Sequence, residues 1–175
     1  MQRRTLEKRA PPGGHAARVA LSLALAACAS TAAADGAPSL APDFVLKATD
    51  GRNLRLSEYR GDPVVVTFWG SWCGECREAL ATLDVVAGRT STPVLGVNLD
   101  GSVERAASVA TSLALDFPTL VDARKDVART YDVARLPLTL LIDRDGAVRA
   151  RWDGISVPAD DLTRRLDSLR QETRP

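Results

Sequence analysis

Two cysteines, Cys73 and Cys76, have the side-chain type and spacing best suited to covalent chemistry in this sequence. A thiolate can attack a disulfide, and a second thiol three residues further on can reach back to form a disulfide with the first. The apolar run 64–66 before the pair and the three- and four-residue apolar spacing after it predict a buried strand, a tight turn and a helix. Because a helix N-terminus carries unpaired amides and a partial positive charge, it favours a thiolate. The pattern predicts thiol–disulfide exchange, with Cys73 as the nucleophile and Cys76 as the resolving thiol.

Structural roles for this cysteine pair are weaker explanations. A disulfide that closes a loop of about four residues restricts the unfolded chain by only ~2 kcal/mol, against nearly 5 kcal/mol for a loop of about 100 residues. A zinc site would need two more ligands, and His15, the single histidine, lies in the N-terminal leader. We therefore expect no metal and no bound cofactor, the redox-active group being the cysteine pair itself.

The first 27 residues have the layout of a secretory signal. Five basic residues and one acidic residue lie among them, and the apolar run 19–27 is too short for a membrane-spanning helix, which needs roughly 20 residues. The segment Leu25-Ala26-Ala27-Cys28 resembles a lipobox, which predicts cleavage before Cys28 and its lipidation. Ordinary secretion after Ala32-Ala33-Ala34 and an uncleaved anchor are the alternatives. The leader thus predicts a periplasmic-side protein, anchored by lipid or otherwise free in the periplasm or secreted.

The remaining residues carry 18 basic and 21 acidic side chains, so the basic excess belongs to the leader. A mildly acidic body lacks the basic face of a nucleic-acid-binding protein. Residues 28–41, rich in Ala with Gly and Pro, are predicted to be a flexible tether, followed by a domain over residues 42–173. We expect a monomer.

The order of apolar and turn patterns within 42–173 predicts an α/β fold. A hairpin pattern across Asp50-Gly51 comes first, followed by a short helical turn that Gly61 ends. The continuous apolar strand 64–68 and a second strand at 93–98 flank the helix that follows the cysteines. The later segments are a helix at about 103–114, an extended piece at 117–121, a helix at 125–131, a hairpin formed by 136–143 and 147–152, and a last helix opened by Pro158. Together they predict a mixed sheet with helices on both sides.

The segment Phe68-Trp69-Gly70-Ser71-Trp72-Cys73-x-x-Cys76 resembles the active site of the thioredoxin superfamily. More narrowly, it resembles the TlpA-like branch of exported bacterial thiol–disulfide oxidoreductases, which includes reductants of cytochrome c maturation. The opening from Pro42 to Gly61 is similar to the N-terminal hairpin of TlpA-like and peroxiredoxin domains. The resemblance implies a thioredoxin-like fold.

Leu136-Pro137-Leu138-Thr139 matches the position of the family's cis-proline, which lies beside the cysteine pair. The general frequency of cis X–Pro bonds, about 5–6%, alone favours trans, so the cis expectation rests on the resemblance. The resemblance implies that Leu136 and Pro137 bind an extended client segment. Trp72 is expected to be a partly exposed contact surface, and Trp69 a core residue.

Glu75 stands where the family commonly has proline before the second cysteine. A carboxylate beside the thiols opposes the field of the helix end, so it should raise the pKa of the Cys73 thiol. A less stabilised thiolate makes the reduction potential more negative, which predicts a reductant nearer thioredoxin, at about −270 mV, than DsbA, at about −120 mV. The alternative is that Glu75 points to solvent and only stabilises the first helical turn.

The proton acceptor for Cys76 is a second departure from the family pattern. Thioredoxins bury an aspartate where this chain has Thr67, and some cytochrome-maturation relatives use a glutamate at a position that aligns near Gly101. Because the predicted mature chain has no histidine, a carboxylate or water must take the proton. We favour Asp100, although a turn role would equally explain it. The other candidates are Glu75 and Glu104.

These residues predict an enzyme that reduces disulfides in client proteins. The resemblance implies recharging by a membrane-embedded thiol reductant. Two alternatives remain: a disulfide-forming oxidant of the same fold, and a non-enzymatic lipoprotein adaptor, which would leave the cysteine pair unexplained.

Overall fold

The computed structural model describes residues 39–172. The predicted leader 1–27, the lipidation candidate Cys28, most of the predicted tether and residue 173 lie outside that range. Within it, the amide of Ala41 donates to the carbonyl of Gly146 at 2.9 Å, and the amide of Val148 donates to the carbonyl of Ser39 at the same distance. The folded body therefore includes the last three residues of the segment 28–41.

Strands and helices alternate through most of the described chain, as the sequence predicts. They are β1 (Val45–Lys47), β2 (Asn53–Arg55), a short 3-10 helix (Leu56–Tyr59), β3 (Val64–Trp69), α1 (Gly74–Thr90), β4 (Val94–Asn98), α2 (Val103–Ser112), β5 (Thr119–Val121), α3 (Asp126–Thr130), β6 (Leu138–Ile142), β7 (Val148–Asp153) and α4 (Ala159–Gln171). Among residues 39–172, no helix combines the length and the apolar character that crossing a bilayer requires.

A five-stranded mixed sheet forms the centre, in the order β5-β4-β3-β6-β7. Strand β3 is parallel to β4 and antiparallel to β6, and all six of its residues are buried. A central strand covered on both faces has no solvent side, which explains its continuous apolar sequence. The predicted fold class, a thioredoxin-like sheet flanked by helices with an N-terminal hairpin, is confirmed.

Alternate side chains of β3 belong to two apolar layers, one on each face of the sheet. Val66 and Phe68 pack in one layer, while Val65 and Trp69 pack in the other. The second layer also contains Cys73 and Cys76 of the active-site segment, together with apolar residues of α1 and α4, which are Leu80, Leu83, Leu162, Leu166 and Leu169. The cysteine pair is thus attached to the packed core of the domain.

The predicted N-terminal hairpin is a separate two-stranded sheet, in which β1 and β2 pair antiparallel across the turn at Asp50 and Gly51. Gly51 has φ +91°, which glycine adopts without the Cβ penalty. A bridge between Ala48 and Leu120 joins this hairpin to the edge of the central sheet.

Several element ends differ from the sequence pattern for local reasons. Helix α2 ends at Ser112, and Ala114 lies in the left-handed region at φ 50°. Lys125 also has a left-handed conformation, so it precedes α3 as its cap instead of belonging to it. Pro158 caps α4 rather than forming its first turn. Strand β5 begins at Thr119, the residue that pairs with Gly96.

Candidate active site

The cysteines lie where the sequence predicts, between the end of β3 and the start of α1. Cys73 is the N-cap of α1, and its amide donates to the carbonyl of Gly70 at 3.1 Å, which closes the turn. The two sulfur atoms are 2.06 Å apart, and the Cα atoms are 5.3 Å apart, so the pair forms a disulfide. Cys73 is 7% exposed and Cys76 only 1%. This asymmetry suits Cys73 as the thiol that meets an outside disulfide and Cys76 as the resolving thiol.

The two tryptophans differ in environment, as expected. Trp69 is fully buried in the layer that contains the disulfide, whereas Trp72 is 65% exposed. A Cβ atom added at Gly70 would lie 2.8 Å from the indole ring of Trp72, so the ring covers this glycine closely. Glycine at this position therefore allows a large exposed aromatic ring to lie beside the cysteines.

The peptide bond between Leu136 and Pro137 is cis, as the family resemblance implies. Pro137 is buried and comes directly before β6, the antiparallel neighbour of β3. Its carbonyl accepts a hydrogen bond from the amide of Gly154 at 2.8 Å, which ties the proline loop to the end of β7. Leu136 is half-buried and packs against both apolar layers.

Trp72, Glu75 and Leu136 line a common open cleft of about 860 Å³. Leu99 and Val133 contribute further apolar surface to it. Besides Glu75, its charged lining residues are Lys125, Arg129, Asp132 and Arg135. The structure therefore brings together three residues that the sequence assigned to the site from two distant segments. Their roles in binding a client stay predictions.

Glu75 lies in the first turn of α1 and is exposed to solvent. It lines the cleft beside Trp72. This position is compatible with an effect of its charge on the thiols and also with stabilisation of the first turn of α1 alone. Its influence on the reduction potential stays a prediction.

Asp100 is buried, with 4% of its surface exposed, at the loop that follows β4. Its carboxylate accepts hydrogen bonds from the amide of Ser71 at 3.1 Å, the hydroxyl of Ser71 at 2.9 Å and the side-chain amide of Asn98 at 2.8 Å. Asp100 thus contacts the turn that precedes Cys73. Whether it accepts a proton from Cys76 stays a prediction.

Glu104 lies on the surface in the first turn of α2. The hydroxyl of Ser102 donates to its carboxylate at 2.6 Å, and this hydrogen bond lowers the pKa of Glu104. The carboxylate is therefore engaged at the start of its own helix. Its assignment as a proton acceptor stays a prediction.

Two features of the site were not found from the sequence. The hydroxyls of Thr67 and Thr139 are 3.0 Å apart and fully buried, because the two residues face each other across β3 and β6. A hydroxyl pair thus occupies the position where thioredoxins bury an aspartate. The second feature is Asn98, whose side chain bonds to both the backbone and the carboxylate of Asp100. Its position as the one polar side chain at the end of the apolar strand 93–98 was the signal available for it.

Among residues 39–172, no group of three or more His, Cys, Asp or Glu residues is placed to hold a metal ion.

Comparison with known proteins supports the same class of site. The AhpC/TSA family matches residues 38–151. The thiol-disulfide oxidoreductase ResA of Geobacillus thermodenitrificans is 34% identical over 135 residues, which cover 75% of this chain and 77% of the relative. ResA of Bacillus subtilis is 32% identical over 111 residues, or 62% of each chain. A structure from Chlorobium tepidum, described as a thiol:disulfide interchange protein DsbE, has a TM-score of 0.68 and 29% identity, covering 78% of this chain and 96% of that one.

A thioredoxin-like sheet with a disulfide at the N-terminus of a helix and a cis-proline before β6 defines a thiol–disulfide oxidoreductase. The chain belongs to the AhpC/TSA family, and its ResA and DsbE relatives place it with the TlpA-like thiol–disulfide oxidoreductases. It is therefore an enzyme that exchanges electrons between thiols and disulfides.

Proposed function

We propose that this chain is an exported enzyme that reduces disulfides in client proteins. The observation that carries the proposal is the Cys73–Cys76 disulfide at the helix N-terminus, next to a cleft lined by Trp72 and Leu136. A reactive thiolate needs a positive local field and access from outside, and the helix end and the cleft meet these two needs.

The reaction proceeds in two balanced steps. The Cys73 thiolate attacks a client disulfide, forms a mixed disulfide and releases one client thiolate. Cys76 loses its proton to a carboxylate or to water, and its thiolate attacks the Cys73 sulfur. This second attack breaks the mixed disulfide, releases the second client thiolate and leaves the Cys73–Cys76 disulfide. Two electrons have then passed to the client, and a membrane-embedded thiol reductant must return them.

Two observations support the reducing direction: the resemblance to reductants of cytochrome c maturation, and the charge of Glu75, whose own contribution is small. Glu75 is exposed in the first turn of α1 and lines the same cleft as Trp72. A negative charge there disfavours the Cys73 thiolate and thereby the reduced state of the enzyme. We expect a potential near −270 mV, the thioredoxin range, rather than near −120 mV, the DsbA range. Equilibration with dithiothreitol buffers measures it, and a value near that of DsbA would favour the disulfide-forming alternative.

Catalysis is tested by reduction of insulin disulfides with dithiothreitol as electron source. We expect the parent chain to accelerate the reaction and Cys73→Ser to abolish the acceleration. Equal rates for the two proteins would favour the adaptor alternative. Cys76→Ser should retain the first step and accumulate mixed disulfides, so these adducts identify the clients. Apocytochrome c, copper-site assembly proteins and misoxidised periplasmic proteins are the classes that we would look for.

We also propose that Cys28 is lipidated and holds the domain on the periplasmic side of the membrane. The proposal is supported by the segment 25–28 and by the basic and apolar regions before it. In a bacterial host, Cys28→Ser should move the chain from the membrane fraction to the soluble periplasmic fraction. An unchanged membrane fraction would point to an uncleaved anchor instead.

A further inference from the structure

The buried carboxylate of Asp100, in the loop after β4, binds Ser71, in the loop between β3 and α1 that leads to the disulfide. One oxygen accepts from the hydroxyl of Ser71, and the other accepts from the amide of Ser71 and the side chain of Asn98. Asn98 in turn accepts from the amide of Asp100 at 2.9 Å. At 4% exposure, these donors replace the water that the carboxylate would otherwise bind.

Ser71 belongs to the turn that positions the nucleophile. It lies two residues before Cys73, whose amide donates to the carbonyl of Gly70 on the other side of Ser71. The amide of Leu99 donates to the carbonyl of Trp69 at 2.8 Å, which continues the pairing of β3 and β4 to the base of the turn. The backbone pair and the Asp100 contacts together hold the segment from Trp69 to Cys73 against the end of β4.

We propose that Asp100 is a positioning residue, which fixes Ser71 and thereby the turn that presents Cys73, and that it is not the proton acceptor of Cys76. The proposal rests on the thiol–disulfide exchange described above. Both carboxylate oxygens are occupied by three donors, and a protonated oxygen would lose acceptor capacity toward these donors. Proton uptake at Asp100 would therefore loosen the turn in each catalytic cycle.

The isosteric amide distinguishes positioning from proton transfer. An asparagine at position 100 can keep all three contacts: its oxygen can accept from the Ser71 amide and from Asn98, and its NH2 group can donate to the Ser71 hydroxyl. An asparagine cannot take up a proton at neutral pH. A positioning role therefore predicts rates close to those of the parent in Asp100→Asn and slow rates in Asp100→Ala. A proton-acceptor role predicts slow resolution by Cys76 in both variants.

The experiment follows the reaction of the reduced chain with oxidised glutathione, a small disulfide that requires no protein client. The full chain carries Cys28→Ser in every variant, so that Cys73 and Cys76 are the reacting thiols. Stopped-flow and acid-quench measurements across pH give the rate of attack by Cys73, compared at its high-pH plateau, and the rate of resolution by Cys76, compared at neutral pH, where Cys76 must still lose its proton. A chain that reacts with glutathione but not with insulin would refute the proposed client reduction and leave this test intact.

The matched control is Asp143, a buried carboxylate that directly follows β6, at the end of this strand away from Pro137. It accepts hydrogen bonds from the amides of Asp145 and Ala147 and from Arg149. Asp143→Ala loses contacts of the same kind at a distance from the turn. We expect it to lower stability and to leave the rates of attack and of resolution within about twofold of the parent, since it does not touch the nucleophile's segment.

We expect Asp100→Ala to slow attack by Cys73 about tenfold or more, because a misplaced nucleophile loses its alignment. Asp100→Asn should stay within about threefold of the parent in both steps, and Ser71→Ala should slow attack by about threefold, with little further effect in the Asp100→Ala background. The proposal is overturned if resolution by Cys76 is as slow in Asp100→Asn as in Asp100→Ala. It is also overturned if the effects of Asp100→Ala and Ser71→Ala on the rate of attack are additive in the double variant. If circular dichroism shows that Asp100→Ala is unfolded, an unchanged rate of attack in Ser71→Ala overturns it.

Discussion

The charge of Glu75 is predicted to affect the chemistry of Cys73, two residues before it in the sequence. The side chain is exposed, so water and salt screen its interaction with the thiolate. Screening makes the shift in reduction potential smaller but does not change its sign. The carboxylate repels the thiolate of the reduced form, whereas the disulfide of the oxidised form carries no charge.

Glu75→Gln tests this effect without changing the shape of the side chain. We expect the reduction potential to rise by about 10–20 mV, since an exposed charge contributes about 0.5–1 kcal/mol and 30 mV corresponds to about 1.4 kcal/mol for a two-electron couple. Equilibration with dithiothreitol buffers at low salt measures the shift. Glu78→Gln, one turn further along the same helix and also exposed, is the control and should change the potential less. Equal potentials for Glu75→Gln and the parent would show that Glu75 only stabilises the helix start.

Single residues differed in how far the sequence revealed them. The cysteine spacing and the environments of Trp69 and Trp72 followed from local pattern, and the cis bond at Pro137 followed from resemblance. The hydrogen bonds of Asp100 were not predicted, because they join Ser71 to a residue 29 positions away. Such a contact depends on the parallel pairing of β3 with β4, which no local pattern specifies.

At the scale of elements, the N-terminal hairpin is fastened to the short 3-10 helix by Asp43. Its carboxylate accepts hydrogen bonds from the amide of Ser57 at 2.9 Å, from the hydroxyl of Ser57 at 3.0 Å and from Arg55 at 3.2 Å. Burial acts to raise the pKa of Asp43, but these hydrogen bonds outweigh it and hold the pKa below its ordinary value. A carboxyl whose pKa is lowered by folding stabilises the folded state only while it is ionised.

Asp43→Asn should therefore lower the free energy of unfolding at neutral pH by about 0.5–1.5 kcal/mol, because the neutral amide loses the contact with Arg55 and the charge assistance of the hydrogen bonds from Ser57. The stabilisation is fully present above the ordinary aspartate pKa of about 3.9 and is lost as pH falls through the lower folded-state value. Urea unfolding of parent and variant at pH 7 and below pH 4 measures the difference, which should shrink at acidic pH. Asp62→Asn, at an exposed position just after the 3-10 helix, is the control. A difference that persists unchanged in acid would contradict ionisation of Asp43 as the cause.

The order and type of the elements were predictable because each strand and helix has its own apolar period. The residues at which the strands and helices end were less predictable. The left-handed conformations at Ser91, Ala114 and Lys125 are adopted by residues other than glycine, so the chain offers no turn residue there to mark a boundary. Tertiary packing decides these ends.

At the scale of the whole molecule, the redox state of the site is linked to the stability of the fold. Because free energy is a state function, the folded oxidised chain is the more stable form if the disulfide is harder to reduce in the folded than in the unfolded chain. A reductant with a strongly negative potential meets this condition. The strength of the coupling is about 1.4 kcal/mol for each 30 mV between the two potentials.

We therefore expect the oxidised chain to unfold at a higher urea concentration than the chain kept reduced by excess dithiothreitol. The Cys73→Ser, Cys76→Ser double variant is the control, since its unfolding should not respond to dithiothreitol. A reduced form that resists urea better than the oxidised form would instead identify a disulfide-forming oxidant.

The position of Cys76 also bears on oxidative damage. Peroxide that reaches the more exposed Cys73 in the reduced enzyme converts its thiolate to a sulfenic acid, which can be oxidised further and irreversibly. Cys76 is 1% exposed and lies within bonding reach of Cys73, so it can condense with the sulfenic acid and release water. The product is the ordinary oxidised enzyme, so the same geometry that ends a catalytic cycle should spare the nucleophile from overoxidation.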